Sequence, residues 1–93
     1  MSAHGVMTTT ARRKAQEVVV NIGIDGVEKV LPALAWEFKE AFDDLHAASA
    51  YWGPGHKIVK QKRKNLVERQ EHVHALCVLT GLRPPDGVLG IPI

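Results

Sequence analysis

Side chains that could take part in chemistry are concentrated between residues 68 and 77. Glu71 and His74 stand three residues apart, a spacing that places a carboxylate and an imidazole on the same face of a helix. Such a pair can supply two ligands to a metal ion when a further carboxylate comes from a facing helix. His74 also precedes Cys77 by three residues, and a neighbouring imidazole can convert a thiol into a reactive thiolate. These spacings raise two hypotheses, a metal site and a nucleophilic cysteine.

Cys77 lacks the partners that catalysis needs. No third group is placed to orient a Cys–His pair, and Cys77 falls on the apolar face of its segment, where a cysteine behaves as a small hydrophobic residue. The sequence also contains no HExxH motif, nucleophile elbow or glycine-rich phosphate loop. We therefore predict a non-enzymatic protein that uses no cofactor, with Cys77 as an inert core residue.

The segment 68–76 resembles the second helix of small two-helix encapsulated ferritins, which dimerise to complete a four-helix di-metal site. The resemblance implies Glu71 and His74 as metal ligands, with Glu37 or Glu40 as the carboxylate of a facing helix. When this segment is aligned with that ferritin helix, Arg69 stands at the position of a further ligand glutamate. We therefore expect no bound metal, and a ferritin-like di-metal protein completed by dimerisation is the third functional hypothesis.

Five cationic residues without an intervening acidic residue form another candidate site: Lys57, Lys60, Lys62, Arg63 and Lys64. They could follow a phosphate backbone, with residues 12–14 as a second cationic contact. Aromatic residues that could stack on bases, such as Phe38 and Trp52, are predicted to lie in the core. In a helical hairpin Asp43 and Asp44 would face the cations, so a solvated face paired with acids is the simpler interpretation. Nucleic-acid binding is the second functional hypothesis.

The elements that carry these residues follow from helical periodicity. From Asp25 onward, apolar residues recur every three or four positions, which predicts a helix of about seven turns. Asp25 and Glu28 have the spacing of a capping box, while Pro32 either kinks this helix or marks its first turn. The predicted apolar stripe consists of Val27, Val30, Leu31, Leu34, Phe38, Ala41, Phe42, Leu45, Ala48, Ser49 and Trp52.

A Gly-Pro-Gly triplet at 53–55 predicts a tight turn after this helix. A second helical pattern follows, and Gly81, with two prolines shortly beyond, marks its end. Two long helices joined by a short turn fold back on each other, so the sequence predicts an all-α antiparallel hairpin. The second apolar stripe consists of Val59, Leu66, Val73, Cys77 and Thr80.

The two ends of the chain are less regular. Residues 10–24 have a helical apolar pattern, but the β-branched run 18–20 lowers helix propensity, so helix is preferred and a strand stays open. We expect residues 1–9 to be flexible and residues 82–93 to form an extended tail. The chain is thus predicted to be one helical domain, residues 1–93, with a shorter N-terminal helix beside the hairpin.

Length and composition limit the possible classes of protein. A chain of 93 residues and 10.2 kDa is long enough for one small core. Twelve Lys and Arg against ten Asp and Glu give a net charge of +2, which excludes a polybasic tail protein. The single cysteine excludes an intramolecular disulfide and a multi-cysteine zinc site. Because no secretory signal or membrane-spanning segment is recognisable, we expect a cytoplasmic protein with no membrane partner.

Apolar residues outside the two main stripes indicate a protein partner. Trp36 lies off the stripe of its helix, and apolar residues of the tail would be exposed if the tail does not dock. A unit of two or three helices does not cover all of this surface, so we expect a homodimer or another protein partner. The leading hypothesis is a protein-interaction or regulatory module, typical of small phage-encoded accessory proteins that bind a host protein. Its predicted contact residues are Trp36, Val88, Leu89, Ile91 and Ile93.

Overall fold

The computed structural model describes residues 9–93, and these residues form two helices and no strand. Helix α1 comprises Thr9–Trp52 and helix α2 comprises Lys57–Thr80. The two helices pack closely against each other as a hairpin, which confirms the predicted all-α fold class. Within the described range, neither helix is long and apolar enough to cross a membrane.

Helix α1 changes direction at Gly23, where the backbone leaves the helical conformation. Its φ of 71° and ψ of 176° belong to a region that is essentially restricted to glycine. A straight helix of 44 residues would be about 66 Å long, whereas the longest dimension of the folded chain is 41 Å. Residues 9–22 therefore fold back beside the hairpin, and Ala15 is fully buried there.

The bend lies at a glycine and not at the proline that the sequence offered. Pro32 lies inside α1, whereas Asp25 stands two residues after the break at Gly23, close to the start of the second helical stretch. Helix α1 continues through Pro32, whose φ is fixed near the helical value although its ring removes one backbone N–H donor. Residues 9–22 are helical and form the stretch of α1 that precedes the break at Gly23. Residues 1–9 are predicted to be flexible, and all of them except Thr9 lie outside the described part of the chain.

A short turn joins the helices where the sequence predicts it. The Gly53 N–H donates a hydrogen bond to the Ser49 carbonyl at 2.9 Å, and Gly53 adopts a φ of 92°. His56 then caps α2, because its Nδ1 accepts a hydrogen bond from the Ile58 N–H at 3.1 Å. Helix α2 ends at Gly81, whose left-handed conformation is the usual helix terminator.

One face of each helix forms the core, largely as the periodicity predicts. Most of the predicted α1 stripe is buried or half-buried, but Trp52 is 48% exposed. Trp52 is the last residue of α1, so it stands at the end of the packed interface. The largest fully buried side chains are Phe38, Leu66, Leu76, Val27, Val59, Val73 and Val88.

The second half of α2 is the most enclosed part of the molecule. Residues 75–77 are all buried, whereas a helix that packs on one side buries only every third or fourth residue. Helix α2 is therefore covered from several sides. Three parts of the chain surround it: the part of α1 that follows Gly23, residues 9–22 on the other side of the bend, and the segment that follows Gly81.

Gln70 holds the C-terminal segment, residues 81–93, against α2. Its side-chain amide donates hydrogen bonds to the carbonyls of Val88, at 2.8 Å, and Ile91, at 3.0 Å. Residues 86–90 form turns, so the segment is folded and not continuously extended. Val88 is fully buried in the core of the same chain.

The burial of Phe38 predicts a large stability loss on truncation. The substitution Phe38→Ala should lower the free energy of unfolding by about 3–5 kcal/mol, because it removes a fully buried ring and leaves a cavity. The matched control Trp36→Ala removes a 62% exposed ring two residues away and should cost less than about 1 kcal/mol. Urea denaturation followed by circular dichroism measures both. Equal losses would contradict the assigned helix face.

Candidate functional site

A groove of about 610 Å³ opens between residues 9–22 and the hairpin. Charged side chains of both signs line it, including Lys14 and Glu37 from α1 and Arg69 from α2. Glu37 and Arg69 face each other across the hairpin, whereas Lys14 reaches the groove because α1 folds back at Gly23. The groove is lined by Thr10, Ala11, Lys14, Leu34, Glu37, Asn65, Glu68, Arg69, Glu71, His72 and Val73.

His72 is the most perturbed titratable group in this groove. Its Nδ1 is buried and has no hydrogen-bond partner among the described residues. Burial, and secondly the positive charge of Lys14, lower the pKa of His72 below its usual 6.5. The imidazole is therefore neutral at pH 7. The sequence does not reveal this environment, because the approach of Lys14 depends on the bend.

The ligand set implied by the ferritin resemblance is not assembled within one chain. Among residues 9–93, no group of three or more His, Cys, Asp or Glu side chains lies close enough to hold a metal ion. Glu37 instead accepts a hydrogen bond from Arg69 at 3.1 Å. Glu71 and His74 are half-buried on α2. Because no third ligand from residues 9–93 lies close to them, a metal at this pair would need its remaining ligands from a second chain.

Cys77 lies in the core, as the sequence predicts. Burial raises the pKa of the Cys77 thiol above its usual 9.0, so the thiol stays protonated at neutral pH. The thiolate is the nucleophilic form of cysteine, and burial both disfavours its formation and restricts access to it. Nothing in this geometry makes Cys77 reactive.

The basic run lies on the first two turns of α2 and is largely open to solvent. Lys57, Lys60 and Lys64 are exposed, while Lys62 forms an ion pair with Asp44 across the hairpin. The predicted opposition of Asp44 and the cations is thus seen for one lysine. A shallow hollow of about 730 Å³ follows this face and is lined by Lys57, Ile58, Lys60, Gln61, Lys62, Lys64 and Asn65.

Two aromatic side chains at the turn, close to the start of the basic run, are exposed, although Trp52 is predicted to lie in the core. Tyr51 is 78% exposed and packs edge-on against Trp52, with ring centroids 4.7 Å apart. The Trp52 ring also lies 4.7 Å from that of His56, directly before Lys57. The stripe placed Trp52 in the core because periodicity does not show where the packing partner ends. The terminal position of Trp52, adjacent to the glycine turn, is the sequence signal that could have revealed its exposure.

The five predicted partner-binding residues differ widely in their exposure to solvent. Trp36 is exposed on the outside of α1, whereas Val88 is fully buried against its own chain. Leu89, Ile91 and Ile93 are half-buried and pack against the same core. Much of the apolar surface of the C-terminal segment is thus covered within one chain, and Trp36 is the most exposed of the five.

Comparison with known proteins gives no relative to guide the assignment. No protein-family model matches the chain, and neither the curated proteins nor the solved structures contain a significant match. The functional inference therefore rests on the geometry of residues 9–93.

The environment of His72 predicts a stability loss on acidification. Unfolded chains bind a proton on this imidazole near pH 6.5, whereas the folded chain binds it only at lower pH. The contribution of His72 is fully present above about pH 6.5 and is lost as the pH falls below it. His72→Gln should therefore reduce the slope of unfolding free energy between about pH 7 and pH 5.

An NMR titration provides the direct measurement. The pKa of His72 should lie below 6.5 and should rise in Lys14→Met, which removes the charge but keeps an unbranched side chain. A His72 pKa at or above 6.5 in the wild-type protein would contradict the fold-back of residues 9–22 onto α2.

Proposed function

We propose that the protein is a non-enzymatic interaction module that self-associates through apolar side chains at the bend of α1. The observation that supports this proposal is a group of exposed aliphatic residues on both sides of Gly23. Val20 is 83% exposed, and Ile22 and Ile24 are also exposed. We refer to these three residues as the bend patch.

The bend patch is only partly covered by the described residues, with Val20 83%, Ile24 51% and Ile22 44% exposed. Gln70 holds the C-terminal segment on the core, so the apolar residues of that segment are covered by their own chain. Three aliphatic side chains within five residues form a local patch and not an isolated exposed residue. Burial of an exposed aliphatic side chain contributes up to about 1.5–3 kcal/mol, and less where the side chain is already partly covered, so burial of the patch favours association.

Another exposed apolar residue lies at the same end of the hairpin. The ion pairs Lys62–Asp44 and Arg69–Glu37 define the register, since a step of seven residues along α2 matches a step of seven along α1. Continuation of this register places Val78 at the level of residue 28, close to the bend. Val78 is exposed and can extend the surface of the bend patch.

A second copy of the chain is the partner proposed for this surface. Twofold symmetric dimers are the commonest assemblies of soluble proteins, and such an interface brings a patch against its own copy. A chain of 93 residues buries a smaller share of its surface than a larger domain does, so dimerisation also adds stability. Trp36 lies further along α1 and is proposed as a contact for other protein partners.

Sedimentation equilibrium of matched variants tests self-association. The wild-type protein should reach twice the 10.2 kDa chain mass as its concentration rises. The double variant Val20→Ser, Ile24→Ser should remain at the mass of one chain, because it removes most of the aliphatic surface of the bend patch. The control variant Ala33→Ser, Ala47→Ser introduces the same two hydroxyl groups at exposed positions further along α1 and should dimerise like the wild type.

Circular dichroism verifies that each variant is folded. A wild-type mass of one chain at every concentration would contradict the proposal. Equal dimerisation of the bend-patch variant and the wild type would contradict the location of the interface.

A further inference from the structure

Charge is strongly segregated along the hairpin. Residues 45–67, which form the turn and the adjoining parts of both helices, contain five of the twelve Lys and Arg and none of the ten Asp and Glu. The remainder of the chain is therefore net negative, although the whole chain is +2. The end of the hairpin opposite the bend is a positive pole, and such a pole attracts an anionic partner.

Three lysines at this pole are free to bind an anion. Lys62 is engaged with Asp44, whereas Lys57, Lys60 and Lys64 are exposed and form no ion pair with any of residues 9–93. All three line the hollow of about 730 Å³ on α2. The hollow therefore presents several positive charges to a ligand that extends along it.

Aromatic rings adjoin the lysines at the same pole. Tyr51 and Trp52 are exposed and in contact with each other, and Trp52 contacts His56, which directly precedes Lys57. Exposed aromatic rings at the same end of the hairpin as a cationic hollow provide the two elements of single-strand recognition, stacking for the bases and positive charge for the phosphates. An acidic protein segment would use the charge but would not require the exposed rings.

We infer that the turn end of the hairpin binds single-stranded nucleic acid. The phosphates lie on Lys57, Lys60 and Lys64, and one or two bases stack on Trp52 and Tyr51. Stacking accepts any base, so the binding is not sequence-specific. The inference does not depend on self-association at the bend, because the two surfaces lie at opposite ends of the hairpin.

Fluorescence anisotropy with labelled oligothymidylate and oligouridylate of about 15 nucleotides tests this inference. Both strands should bind in about 50 mM salt, with a slope of log K against log salt of about −2, since each of three lysines displaces about 0.7 counterion. Lys60→Glu with Lys64→Glu should weaken binding at least about ten-fold. The control Lys29→Glu with Lys39→Glu makes the same change of net charge on exposed α1 residues and should weaken binding less than about three-fold.

Tryptophan fluorescence tests the stacking part separately. In Trp36→Phe the remaining tryptophan is Trp52, and saturating oligothymidylate should quench it. In Trp52→Phe the remaining tryptophan is Trp36, and its emission should not change. Because both substituted residues are exposed aromatic positions, the folded state should survive each change.

Three outcomes would overturn the inference. One is the absence of binding to either strand at low salt, and another is equal loss of affinity in the two lysine pairs. The third is a preference for polyglutamate or for duplex DNA over the single strands without quenching of Trp52. Polyglutamate preference would assign the pole to an acidic protein, and duplex preference would assign it to backbone contact alone. Preference between the two single strands identifies DNA or RNA as the ligand.

Discussion

The backbone conformation of Gly23 is the constraint on which the rest of the structure depends. A φ of 71° with a ψ of 176° is accessible to glycine and strongly disfavoured for other residues, and it converts one long helix into two stretches that lie side by side. Residues 9–22 are thereby brought to α2, where Ala11 and Ala15 are buried. The groove, the approach of Lys14 to His72 and the enclosure of the second half of α2 all follow from this reversal.

The same reversal gives the molecule two different ends. At the bend, the chain has to turn between two helical stretches, and its aliphatic side chains stand outside both interfaces. At the opposite end, the first half of α2 follows the turn at 53–56. Residues 9–22 and the C-terminal segment enclose this first half less than they enclose the second half. The first half is basic and is bordered by exposed aromatic rings. The surface proposed for self-association and the surface inferred to bind single-stranded nucleic acid therefore lie at different ends of the molecule.

The sequence predicts the hairpin well because its main signals are local. The two apolar stripes, the glycine turn and the final Gly81 all depend on periodicity or on a single backbone preference. The sequence predicts a helix start at Asp25 and a kink or first turn at Pro32, and it does not identify Gly23, since a glycine within a helical pattern carries little information about its own φ. The exposure of Trp52 and the neutral state of His72 depend on which segments meet in space, and a one-dimensional pattern does not contain that information.

Urea denaturation of two glycine variants tests the central role of the bend most directly. A Cβ atom at Gly23 would meet nothing within 4 Å, so Gly23→Ala tests the backbone conformation without a steric clash. The account predicts a loss of about 1–3 kcal/mol from the positive φ alone. Gly55→Ala, which also places its Cβ in open space but has no positive φ, should leave stability unchanged or slightly raised. Equal stability of the two variants would contradict the claim that the conformation of Gly23 organises the fold.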